Sequence, residues 1–262
     1  MKNKPRKIGS QATHYKPELP KESKATVQNL VYHELRRALM TGAFMPGSKV
    51  TLRGLTQQLG TSIMPVRESV NRLIAERALQ VAGTRQVIVP VMTEEKFAEI
   101  TYWRVRLEAD ATRAASRYIT PLAIARIEAI NAEMSVAVDE DRRDALLPLN
   151  YQFHFAIYAA ARSEILLPMI ESLWLQAGPF TYFSTPSPKA LWNAKHHRDI
   201  IRALKARDGD AAAQALVRDI ENSATYLKSS GHFVRPPVRP VTGWSGRRNP
   251  ASARVSDSTV PH

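Results

Sequence analysis

Three groups of polar residues stand at spacings where chemistry is possible. Arg67 and Asn71 are four residues apart on a segment whose apolar residues Val66, Val70, Leu73 and Ile74 recur at helical spacing. The pair therefore shares one face, off the apolar stripe, in the half of a helix that suits contact with base edges or phosphates. Arg104 does the opposite. It falls inside the stripe Phe97, Ile100, Leu107, Ala111 and Ala114. A guanidinium aimed at an interior must meet an anion, because an unpaired buried charge is costly. Two anions would serve: an internal Glu or Asp, or the carboxylate of a bound effector. The third group is spread along the chain. Asn150 and His154 interrupt the apolar segment 143–161 at i and i+4, His197 lies in a stripe with Ile200, Ile201 and Leu204, and Asp219 lies near Leu216, Ile220 and Ser223. Imidazoles from two helices, with oxygen donors beside them, can hold a divalent ion such as zinc. The alternative is a set of core histidines bonded to their neighbours.

The elements that must position these residues are legible from periodicity and punctuation. A first helix spans about 26–40 and ends at Thr41-Gly42. Thr51 caps a short second helix carrying Leu52, Leu55 and Leu59 and stopped by Gly60, and Ser62 can cap a third, with Pro65 tolerated in its first turn. Leu79–Val81 and Val87–Val89 read as two strands around Ala82-Gly83-Thr84-Arg85. Three helices followed by a hairpin, with about three residues between the second and third helices, form the pattern of a winged helix-turn-helix. Arg53, at the start of the second helix, Ser62, and Arg85, at the hairpin tip, join Arg67 and Asn71 as candidate DNA contacts.

After Pro90 the texture is helical throughout. Six amphipathic segments, about 94–118, 121–138, 143–161, 163–182, 188–206 and 209–228, predict an all-α six-helix bundle with a ligand-sized interior. The expected division is a disordered basic arm over 1–24, a winged helix-turn-helix domain over 25–92, an all-α effector-binding and dimerisation domain over 93–230, and a disordered Pro/Gly/Arg-rich tail over 231–262. The fold class is mostly α.

Charge follows the same division. The chain of 262 residues has a net charge of +13, of which 1–24 and 25–92 carry +5 each, 93–230 carries −1 and 231–262 carries +4. A basic first third beside a near-neutral block fits a polyanion partner for one end only; basic tails on an ordinary soluble protein give the same balance. The chain has no cysteine, which excludes disulfides, thiolate metal sites and cysteine nucleophiles. No apolar run reaches the roughly 18 residues of a membrane span, and no apolar stretch follows the basic start, so a cytoplasmic protein with no membrane partner is expected.

The stretch Leu52-Arg53-Gly54-Leu55-Thr56-Gln57-Gln58-Leu59-Gly60-Thr61-Ser62-Ile63-Met64-Pro65-Val66-Arg67-Glu68-Ser69-Val70 resembles the DNA-binding segment of GntR-family regulators, and Gly42-Ala43-Phe44-Met45-Pro46-Gly47 resembles the turn after that family's first helix. The helical half resembles the FCD effector domain of the FadR subfamily. The resemblance implies that Arg53 and Arg67 contact DNA. It also implies that Arg104, in Arg104-Val105-Arg106-Leu107-Glu108, lies in an effector pocket. For a metal, it implies a site that falls here on Asn150, His154, His197 and Asp219. The chain departs from the family at Ile63, where Arg is usual, at Arg77 and Gln86, where Gly is usual, and at Asp219, where the last metal-ligating His is usual.

Two function classes follow. One is a ligand-responsive regulator, a repressor by family habit, that binds an inverted-repeat operator in double-stranded DNA as a homodimer and takes a small carboxylate effector. The other is an α-helical metal-dependent hydrolase with a basic nucleic-acid-binding appendage. No His-Glu-x-x-His, Ser-His-Asp set or Gly-rich phosphate loop supports the second. A non-specific nucleic-acid binder is a third possibility.

Overall fold

The computed structural model describes residues 24–83, 85–183, 194–229 and 233–234. Helices α1 (Lys24–Met40), α2 (Leu52–Leu59) and α3 (Ile63–Ala75) pack with a sheet of β1 (Lys49–Val50), β2 (Gln80–Ala82) and β3 (Gln86–Ile88). The sheet order is β1-β3-β2 and both pairings are antiparallel, with Val87 opposite Val50 and Val81. Strand β1 was not expected from the sequence, because two residues are too few to show alternation. The hairpin strands lie one residue inward of the expected turn.

Capping explains the helix boundaries. The Thr51 hydroxyl accepts the Gly54 N–H at 3.1 Å, and Gly60 closes α2 in the left-handed region at φ 62°. Ser62 stands at the α3 N-cap in extended backbone, but its side chain makes no capping bond, contrary to the expectation. Its hydroxyl is left exposed ahead of the helix.

All described elements of the second half are helices: α4 (Glu94–Tyr118), α5 (Pro121–Asp139), α6 (Arg143–Ala159), α7 (Leu166–Phe183), α8 (Ala194–Lys205) and α9 (Gly209–Ser229). Thr93 and Thr120 cap α4 and α5, and Pro121 takes the first turn of α5, where its missing N–H costs nothing. The expected start of the fifth bundle helix, 188–193, lies outside the described residues, as do 1–23, Thr84 and 235–262. One continuous apolar cluster runs from Val31, Leu35 and Leu39 of α1 through Val66 and Leu73 of α3 to Ile127, Phe153, Ile170 and Leu216 of the bundle.

The tail expected to begin at 231 is corrected at its first described residues. Phe233 packs against Phe97 and Phe180 at ring-centroid distances of 5.5 and 4.7 Å, and the Val234 N–H donates to Met92 O at 3.0 Å. A single Phe in a polar, Pro-rich stretch gives no periodic signal, so sequence reasoning assigned it to the tail.

Candidate functional site

The α3 surface is built as its periodicity requires. Val66, Val70 and Leu73 are buried, while Arg67, Asn71 and Arg72 are exposed. Ile63 and Met64 at the N-terminal end of α3 are 42% and 54% exposed. Arg53 on α2 and Arg85 at the hairpin tip are exposed as well, and Arg85 sits at φ 64°.

The helical half contains a cavity. Arg104, Asn150, His154, His197 and Asp219, contributed by α4, α6, α8 and α9, all line it. The expected convergence of these five residues is therefore present. His154, His197 and Asp219 are buried, and one donor atom from each lies within 4.8 Å of the others. His154 Nε2 and His197 Nε2 face opposite oxygens of Asp219, each at 3.5 Å. The two imidazole centroids are 5.3 Å apart, and Phe153 stacks on His197 at 4.0 Å, fixing the plane of that ring. Asn150 is half-buried on the same helix face as His154.

The hydrogen bonds around Glu108 decide what faces Asp219. Glu108 is fully buried. It accepts Arg104 Nε–H at 2.7 Å, Trp174 Nε1–H at 2.9 Å and the Tyr158 hydroxyl. With its proton committed to Glu108, the Tyr158 oxygen can only accept from His154 Nδ1, 3.2 Å away. That bond fixes the proton on Nδ1 and leaves the Nε2 lone pair aimed at the Asp219 carboxylate. Two electron-rich groups facing each other at 3.5 Å call for a cation between them. A tetrahedral ion with ligand bonds of ~2.1 Å spaces its donors by roughly that amount. The residues present thus fit a divalent ion.

Burial alone would raise the Asp219 carboxyl, but the imidazoles of His197 and His154 outweigh it and hold it far below the usual carboxylate range. Burial pushes His197 below the ordinary histidine value, against the pull of Asp219, which favours the neutral form that metal binding needs. Burial also opposes the Arg104 charge, yet Glu108 more than compensates and the guanidinium is held above its usual pKa.

Of the two anions weighed for Arg104, the internal one is present. An internal Glu is its partner through Nε, while the side chain still lines the cavity and lies over the Trp174 ring at 4.6 Å. The α4 stripe also differs from the expected one: Leu107 and Ala114 are half-buried, and Glu108, Thr112 and Ala115 take the inward positions. Sequence reasoning missed Glu108, Tyr158 and Trp174. Only Glu108 carried a signal, as the carboxylate one turn from an inward Arg.

Comparison with known proteins bears on both halves. Residues 28–89 match "Bacterial regulatory proteins, gntR family" and residues 99–222 match the FCD domain, together well over half of the chain. The HTH-type transcriptional regulator McbR of Escherichia coli (strain K12) is 29% identical over 200 residues, which is 75% of this chain and 90% of McbR. A solved structure of E. coli McbR/YncC superposes with a TM-score of 0.72 at 29% identity, covering 78% of this chain and 97% of that one. A probable D-xylose utilization operon transcriptional repressor of Paenarthrobacter nicotinovorans is 28% identical over 213 residues, 80% of this chain and 91% of that protein.

Proposed function

Because the chain belongs to the GntR family of bacterial regulatory proteins and carries an FCD domain, we propose that it represses transcription from an inverted-repeat operator, binding as a homodimer and responding to a small carboxylate held in the bundle cavity. It is a transcriptional regulator, as its relatives are, and not an enzyme. The metal-dependent hydrolase reading falls away with that.

The observation that carries the reading is the convergence of Arg104, Asn150, His154, His197 and Asp219 on one cavity, in a chain whose α3 presents Arg67 and Asn71 outward. Ser62, Arg53 and Arg85 extend the DNA-facing set. A dimer is favoured because one small winged domain makes few base contacts and a two-fold axis doubles them over paired half-sites. A regulator that works on bacterial DNA has its target in the cytoplasm, which favours that location. No described helix is long and apolar enough to cross a membrane.

His154, His197 and Asp219, with the Asn150 amide beside them, would hold a divalent ion. Bound there, it would supply positive charge and Lewis acidity toward a carboxylate. The chain's own groups do the rest. Arg104 adds a second positive charge to the cavity, Glu108 holds that guanidinium in place, and Tyr158 keeps the His154 ring in the tautomer that exposes Nε2.

A mobility shift on the DNA upstream of the gene, with excess competitor DNA, tests the reading. A discrete shift that survives competitor and is lost in Arg67→Ala supports it. A shift that competitor removes points to non-specific binding and overturns it.

A further inference from the structure

The cavity is not confined to the bundle. Met40, the last residue of α1, and Thr41 after it also line it, together with Phe97 of α4 and Ser223 and Leu227 of α9. These two residues belong to the DNA-binding half of the chain. Two contacts seat them there. A Cβ on Gly178 of α7 would lie 2.3 Å from Leu39 O and 2.6 Å from Met40 O, so the two backbones touch where only glycine fits. One turn back along α1, Arg36 Nη1 meets Glu171 of α7 at 2.8 Å.

The same helix is tied to the DNA-reading helix. Tyr32 donates its hydroxyl to Glu76, the C-cap of α3, and Arg72 Nε reaches that carboxylate at 3.2 Å while its guanidinium lies 3.6 Å over the Tyr32 ring. Burial, and then the Glu76 bond, push Tyr32 up to about 12, so it stays a donor at any physiological pH. Along α1, then, one end forms cavity wall and the middle is bonded to α3.

We propose that this cavity is an interdomain site: its occupant bears directly on Met40 and Thr41, so the DNA-binding half senses occupancy by steric contact within a single chain. The inference rests on the regulator reading above and adds to it which residues the effector touches outside the bundle. Met40 suits the task, since a flexible thioether yields to ligands of different shape while still transmitting a displacement. Linkage makes the effect reciprocal, so DNA that favours one seating of α1 shifts the affinity of the cavity by the same factor.

The test needs no identified ligand, because a side chain can stand in for one. Ser223 of α9 lines the cavity, is half-buried and belongs to neither the anion nor the metal set. Ser223→Leu adds two side-chain heavy atoms and replaces a hydroxyl by apolar carbon in the cavity that Met40 and Thr41 also line. Operator affinity is expected to change at least fivefold, and Met40→Ala in that background, which reopens the space, is expected to return it to within twofold. A second readout is independent of DNA. The chain has no cysteine, so Gln57→Cys on α2 and the 82% exposed Leu122→Cys on α5 accept spin labels uniquely. The label-to-label distance distribution is expected to shift in Ser223→Leu and to revert on adding Met40→Ala. Thr101→Leu, which enters the same cavity from α4, replaces Ser223→Leu if the latter fails to fold. Wild-type affinity and wild-type distances in a folded, cavity-filled variant overturn the proposal. Absence of specific operator binding by the unmodified chain would instead sink the regulator reading, and the distance measurement would still decide this one.

Discussion

Arg104 Nε and Glu108 Oε1 meet at 2.7 Å across one turn of α4, with the carboxylate fully buried and the guanidinium side chain 18% exposed. Removing one partner leaves the other charge desolvated. Glu108→Leu is therefore expected to lower the unfolding free energy by about 3–5 kcal/mol. Arg104→Met should cost less, because Tyr158 and Trp174 still donate to Glu108. The double variant should cost clearly less than the two single costs added, since no uncompensated ion remains. Urea denaturation of the three variants measures this, and strictly additive costs would refute the pairing as the source of stability.

For the DNA-facing surface, Arg67→Ala is expected to weaken operator binding by roughly 1–3 kcal/mol, the loss of one bidentate base contact. Its thermal midpoint should stay at the wild-type value, since Arg67 is exposed and off the buried stripe. Fluorescence anisotropy with labelled operator reads the first quantity and calorimetry the second. Unchanged affinity would remove Arg67 from the recognition surface.

The metal cavity makes a prediction with a pH dependence. A divalent ion at one hundred times its dissociation constant should raise stability by about 2.7 kcal/mol, and chelator should reverse it. His154→Ala and His197→Ala should each abolish the gain. In the metal-free chain, His197 has a folded pKa below its unfolded value of ~6.5, and Asp219 one below ~3.9. Both shifts carry the same sign: the stabilising contribution is complete above the unfolded pKa and is lost as pH falls through the folded one. Stability without metal should thus decline from about pH 6.5 downward, and a denaturant midpoint that is flat or rises over that window would contradict it.

At the other end of the chain, deletion of 235–262 and Phe233→Ala should behave differently. The deletion takes away a net charge of +4 and none of the described packing, so weak, salt-sensitive DNA affinity falls while the thermal midpoint holds. Phe233→Ala removes the ring lying on Phe97 and Phe180 and is expected to cost roughly 1–2 kcal/mol. Equal midpoints for wild type and Phe233→Ala would mean that the ring adds no stability.

Much of this architecture was legible because its signals are local. Thr51, Gly60, Thr93, Thr120 and Pro121 mark helix ends through capping and backbone geometry that belong to single residues. The five polar cavity residues were legible because each interrupts an apolar period. What sequence could not give was pairing across elements. Tyr158 and Trp174 read as ordinary core aromatics, and only the packing of α6 and α7 against α4 brings them to Glu108. Strand β1 was hidden by its length, and the role of Phe233 by the polar company it keeps. Met40 and Thr41 read as the end of a helix, since nothing in their spacing says that another half of the chain closes over them.

Gly178 lets two main chains touch, and main-chain contact is indifferent to side-chain identity. The Gly178 contact of α7 with α1 is made to carbonyls that every residue possesses, so it does not depend on the side chain at position 40. Residue 40 is left free to vary with the molecule being sensed, while position 178 is not free to vary at all. A lineage carrying this arrangement can change one wall of the chamber without rebuilding the contact that holds α1 on α7.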